Sequence, residues 1–291
     1  MGILNILLYV LLIYMVYRSY TLSKKTKKNR ELINIIVHAE DPDTYFEQLD
    51  AYIEKEQEPQ YVAKAKVLRL WGCILHDRMD SFAEGLQDVN IDDMIQPDKA
   101  GNPSVEVNED SFFYLYLAMP NMLHYKGMEE TRALVREKLA PYTDKLSNQL
   151  VVALAEACDD FYDNKNDRGR EFFNKVLEGD YAGYVYSKSL IRLYKMIISA
   201  NLYKLAEEEN DMEKLDELKG SVEEFAKSGV GARWLNSIGV KLESTETEEE
   251  KPSLDEYKAA EAPAEEEEKE ERPSLDDFRP APPIEKKEEE E

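Results

Sequence analysis

The residue types that carry acid–base and metal chemistry are thinly spread in this chain. His38, His76 and His124 stand far apart, with no i,i+4 pair and no Cys or carboxylate at ligand spacing, so they build neither a metal centre nor a general base. Cys73 and Cys158 lie in apolar stretches without C-x-x-C spacing, as small core residues do in a reducing compartment. The oxygen-rich run D-N-K-N-D-R-G (163–169) invites a calcium loop. A loop opened at Asn164, however, puts Arg168 at its fifth position and Lys175 at its twelfth, where a bidentate Glu belongs. Two cations would face the ion, which leaves a polar turn whose Gly169 lets the next helix pack closely. The sequence also lacks the phosphate-loop, dinucleotide, nucleophile-elbow and zinc-protease signatures. The reading is of a protein that is not an enzyme, with no catalytic residue, metal, cofactor or small-molecule substrate.

What the chain does repeat is a phrase. K-P-S-L-D-E-Y-K (251–258) and R-P-S-L-D-D-F-R (272–279) begin 21 residues apart in a glutamate-rich tail. They differ only by exchanges within chemical type, and they hold nearly all the large apolar side chains of that tail. Ser253 with Glu256, and Ser274 with Asp277, have the spacing of an N-cap and its reciprocal acid, so each phrase can nucleate one helical turn. Such a turn sets Leu254 beside Tyr257, and Leu275 beside Phe278, with Asp255 and Asp276 as shared acids. This is a two-anchor grip for a small apolar groove on a protein partner. One such grip is weak, and two on one chain raise avidity through effective concentration.

Charge divides the chain that must position these phrases. Residues 1–30 hold six Lys and Arg and no acid, residues 31–240 hold 23 basic against 40 acidic, and residues 241–291 hold 8 against 21, for a net charge of −24. The body offers no basic face for nucleic acid. Residues 1–17 carry no charged side chain and sit at the short end of the roughly 17 to 25 residues that span a bilayer. Positive charge follows that run rather than preceding it, and no good cleavage site stands after it, so residues 1–22 are expected to be a retained transmembrane anchor rather than a signal peptide. The same charge places the bulk of the chain on the cytoplasmic side. Arg18, Lys24, Lys25, Lys27, Lys28 and Arg30 then form a polybasic juxtamembrane segment, centred on residues 23–30, that meets anionic headgroups. Position 6 is Ile, which argues against myristoylation at Gly2.

Between the anchor and a disordered acidic tail (241–291), apolar residues recur at three- and four-residue intervals from 31 to 240, so the fold class is all-α. The spacing predicts helices over 30–39, 43–56, 59–77, 79–88, 109–125, 128–140, 145–163, 167–178, 184–208, 211–228 and 230–240. Pro120 is expected to kink or split its helix near Met119, and 96–108 is expected to be a loop. A shift of 38 residues aligns Leu134, Val135 and Leu139 with Phe172, Phe173 and Leu177. With Gly169, Phe173 and Val176 at the small, aromatic and small-apolar positions of a second helix, residues 40–228 resemble the tetratricopeptide-repeat class of stacked helix pairs. The chain departs from that family in its illegible first-helix pattern, in Thr131, Val135 and Lys138 at the matching places of the preceding unit, and in lacking the terminal Pro. An irregular helical bundle is the competing reading. The resemblance implies a protein-binding surface and no chemistry. The expected function is a single-pass, membrane-tethered helical scaffold or adaptor that binds proteins through its helical surface and its two tail phrases, with a membrane-anchored chaperone or assembly factor as the alternative.

Overall fold

The computed structural model describes residues 3–163, 166–227 and 229–240. The tail 241–291, with both repeated phrases, lies outside the described residues, as do the side chains of 3–14, 16, 17, 20 and 21. What is described is an all-α body with one small hairpin.

The chain opens with α1 (Ile3–Val37), one unbroken helix of 35 residues. The sequence divides this stretch by composition at residues 22, 30 and 31, yet the backbone passes through all three points without a turn. Neither Pro nor Gly stands between 3 and 37, so nothing stops the helix. Leu32 and Ile35, near its C-terminal end, are buried in the body. Among the described residues no helix is long and apolar enough to cross a membrane, and most side chains of the apolar run 1–17 fall outside that set.

Helix α2 (Pro42–Lys55) starts where Asp41 accepts hydrogen bonds from the Asp43 and Thr44 N–H groups and Pro42 presets the first turn. Pro59 likewise opens α3 (Pro59–Leu75), which leads to α4 (Met79–Asp88). Gly72 sets the spacing of α2 and α3, since a Cβ there would lie 2.3 Å from Cε1 of Tyr45, whose hydroxyl donates to the Leu68 carbonyl. The 96–108 stretch is non-helical as expected except at its end. It forms a hairpin of β1 (Gln96–Pro97) and β2 (Pro103–Ser104) and then one 3₁₀ turn.

The stretch 109–125 is helical throughout: α5 (Glu109–Phe113), a π turn (Tyr114–Ala118) and α6 (Met119–Tyr125). The break foreseen at Pro120 takes this form, with the Met119 N–H reaching back to the Tyr114 carbonyl. Next come α7 (Glu129–Thr143), which carries Pro141 inside its last turn instead of stopping before it, and α8 (Leu150–Tyr162) with α9 (Asn166–Glu178). Gly169 is the contact point of α8 and α9, because a Cβ would sit 2.7 Å from the Ala157 carbonyl oxygen. Phe173 and Val176 on the same helix are fully buried. The last helices are α10 (Ile191–Glu209), α11 (Met212–Ala226) and α12 (Gly229–Ser237).

The segment before α10 departs from its expected helix. Gly179 and Gly183 adopt φ of +86° and +93°. Between them and α10, Val185 pairs with the start of α8, donating to the Asn148 carbonyl (2.8 Å) and accepting from the Leu150 N–H (3.0 Å). Tyr184, Val185 and Tyr186 are good strand formers between positions that break a helix, and local chemistry wins over the apolar spacing.

The helices pack as consecutive pairs: α2 on α3, α3 on α4, α6 on α7, α8 on α9 and α10 on α11. Other contacts join distant parts of the chain. Helix α12 packs on α1 and α6, and Arg233 pairs with Glu40 in the turn that follows α1. A purely one-dimensional stack, in which each repeat touches only its neighbours, lacks such closure.

Candidate functional site

The polybasic segment is the part of the sequence-derived site that the structure describes. Its cations divide. Lys24 and Lys28, one turn apart on α1, face the corner between α2 and α3. There Lys24 Nζ meets Glu58 at 2.8 Å, while Lys28 Nζ meets Glu56 at 2.6 Å and Glu58 at 3.0 Å. The corner is built to receive them, since the Glu56 carboxylate also accepts the N–H groups of Gln57 and Glu58, both at 2.9 Å. The side chains of Lys28 and Glu56 are only 14% and 11% exposed, and Lys28 also lies 4.8 Å over the Tyr61 ring.

Hydrogen bonds from Lys24 and then Lys28 hold Glu58 down at about 2. Burial works against the charge of Lys28, yet its bonds to Glu56 and Glu58 outweigh this and raise it above the usual lysine range. Both corner carboxylates are therefore ionised under all ordinary conditions. Lys25, Lys27 and Arg30 are exposed and have no carboxylate partner among the described residues, and Arg18 is exposed as well. Asn29 and Glu31 complete the docking of α1, through Lys64 at 3.3 Å and Lys55 at 3.1 Å.

The residues assigned to partner binding, Leu254, Asp255, Tyr257, Leu275, Asp276 and Phe278, with the N-caps Ser253 and Ser274, all lie outside the described residues.

Inside the body, polar residues form two clusters, of which the sequence singled out only His124 and Asp163, and for other roles. In the first, the guanidinium of Arg132 reaches Glu129 (2.6 Å), Asp159 (2.6 Å) and Asp163 (3.3 Å), and Arg136 takes the other oxygen of Asp159 at 3.0 Å. The His124 ring stacks on Tyr162 with centroids 4.2 Å apart and shares a 2.7 Å hydrogen bond with Glu129. The Asn121 amide donates to Tyr162 Oη and to Asn201 Oδ1, both at 2.8 Å. In the second cluster, Glu109 accepts the Tyr194 hydroxyl and the Ser187 N–H. Burial, with lesser contributions from Glu106 and Asp110, pushes its carboxyl up to about 7 despite those two donors.

Each of these charged side chains is consumed by a partner within the fold. The calcium-like turn is spent in the same way, with Asp163 on Arg132, Arg168 on Asp160 at 3.2 Å and Lys175 on Glu171 at 2.7 Å. Among the described residues no group of three His, Cys, Asp or Glu is placed to hold a metal ion. Cys73 and Cys158 are free, buried thiols.

Signals for some of these residues were present in the sequence. Asn121 and Asn201 are amides embedded in apolar helical runs, a pattern that marks a buried hydrogen-bonded pair. Glu129 and Arg132 stand at i,i+3. Glu109 is one of several acids in E-V-N-E-D, and nothing local distinguishes it. No family model, curated protein or solved structure matches the chain.

Proposed function

We propose that this protein is a membrane-tethered helical scaffold that binds other proteins. Residues 1–22 anchor it, the helical body stands on the cytoplasmic side, and the two tail phrases recruit a partner through Leu254, Tyr257, Leu275 and Phe278. The observation that supports this most directly is the continuity of α1. The helix that carries the apolar run at one end is built into the body's core at the other, through Leu32, Ile35 and the Lys28 ion pairs. A removable leader has no reason to share a rigid helix with the domain it delivers. The helical surface is the second binding region, in keeping with the stacked pairs of the body.

Proximity labelling in cells from the full chain, beside a variant with Leu254, Tyr257, Leu275 and Phe278 changed to Ala, tests the scaffold reading. The expected result is the loss of at least one strongly labelled protein from the variant's profile. Two indistinguishable profiles would remove the tail phrases from the function.

A further inference from the structure

The division of cations on α1 carries a second step, which rests on the anchor reading above. A helix rises about 1.5 Å per residue, so Lys25 stands about 12 Å beyond Tyr17, the end of the uncharged run, and Arg30 about 20 Å beyond it. The headgroup layer is roughly 5 to 8 Å deep, and anionic surface charge is felt about one Debye length, ~8 Å, further out. Lys25 and Lys27 fall within that zone, and the Arg30 backbone stands about 4 Å past it, a gap that its long side chain spans by reaching back toward the surface. Successive residues turn by about 100°, which spreads these three around the helix axis. Lys24 and Lys28 share the one side that the α2–α3 corner occupies. Headgroups surround a membrane-crossing helix on every side except the one its own domain covers.

The same geometry brings Glu56 and Glu58 to the level of the collar. An acidic corner next to an anionic surface is repelled by it, and the two lysines facing the corner cancel that charge where it lies closest. We propose that Lys25, Lys27 and Arg30 form a collar for anionic lipid headgroups, while Glu56 and Glu58 withhold Lys24 and Lys28 from the lipid to latch the body beneath the bilayer. The five cations of residues 23–30 thus do two jobs. Three cations read the lipid, and two neutralise the protein so that it can stand there.

Amine footprinting of the full chain in lipid nanodiscs reads the lysines individually. The discs contain phosphatidylcholine alone, or phosphatidylcholine with phosphatidylglycerol. Acylation of Lys25 and Lys27 is expected to slow on the order of fivefold on the anionic discs and to recover in high salt. Lys28 is expected to react slowly on both discs, and to speed up on neutral discs in the E56Q/E58Q variant. Equal rates for Lys25 and Lys27 on the two lipids would overturn the collar. A Lys28 as reactive as Lys25 on neutral discs would overturn the latch. A full chain that does not enter discs of either kind removes the anchor, and both parts of the inference with it, so that failure is separable from the other two.

Discussion

Among the described residues two charged side chains are almost fully buried, Arg132 and Glu109, and the fold handles them in opposite ways. Around Arg132 a guanidinium with 6% of its side chain exposed meets three carboxylates, and a second arginine shares one of them. Around Glu109, a residue 2% exposed, no cation among the described residues bonds to the carboxylate, and Lys64 is engaged with the neighbouring Asp110. Both sites join segments far apart in the chain. The Arg132 knot ties α7 to α8, and Glu109 ties the start of α5 to Ser187 and to Tyr194 on α10. A cluster in which guanidiniums meet carboxylates holds its partners at any pH near neutrality. A carboxylate held by neutral donors alone makes the same kind of tie conditional on a proton, because burial favours its uncharged form.

The largest effect expected from breaking this contrast is at Arg132. R132M keeps the stem and removes the charge, leaving the half-buried Asp159 with Arg136 alone, Glu129 with His124 alone, and Asp163 without its cation. Removing one partner of a buried ion pair costs about 3 to 5 kcal/mol, and urea unfolding at neutral pH should show a loss in that range. Adding D159N to R132M should restore part of it. A single variant within experimental error of the wild type would mean the knot is ornamental.

Glu109 should give the next largest effect, read as a pH dependence. Its folded value of about 7 lies above the ordinary 4.5, so the folded state keeps this proton longer than the unfolded chain does. The stabilising contribution is complete below about pH 4.5 and is lost as pH rises to about 7, by about 3 kcal/mol. Most carboxylates push stability the other way over this window, so the difference between wild type and E109Q is the clean observable. Wild type should weaken relative to E109Q as pH rises from 5 to 8. A constant difference across that range would show that Glu109 does not titrate there.

How much of this was legible in the sequence follows from the range of the forces involved. The α2, α4 and α6 ends, the Pro120 disturbance and the close approach at Gly169 were all readable, because caps, prolines and helix-packing glycines act within a few residues. G169A tests the last of these. Its Cβ would press on the backbone of α8 at Ala157 and on Phe161, and the overpacking should cost about 1 to 3 kcal/mol by thermal or chemical unfolding. The 184–190 stretch misled the periodicity argument, since Ile191 and Tyr194 belong to α10, Leu190 closes a 3₁₀ turn before it, and Tyr184 and Tyr186 flank the Val185 that is held by α8. The polybasic segment was recognised as charge, but its division was not legible. Whether a lysine points outward or to Glu56 depends on a corner 28 residues away. Glu109 was invisible for the same reason, with partners 78 and 85 residues further along.

The smallest expected effect is the one that isolates burial as the cause of the contrast. Arg192 and Glu224 pair across α10 and α11 at 2.6 Å, the same separation as Arg132 and Asp159. Their side chains are 66% and 58% exposed, however, against 6% and 24% for the buried pair. Water already solvates both ions, salt screens them, and holding two long side chains in one geometry costs rotamer freedom, so such a pair contributes about 0 to 1 kcal/mol. R192Q should therefore shift the unfolding midpoint by no more than about 0.5 kcal/mol in equivalent stability, and less again in high salt. If it matched R132M instead, bond length rather than desolvation would set the value of an arginine–carboxylate contact here. The distinction drawn between the Arg132 knot and the Glu109 tie would then lose its physical basis.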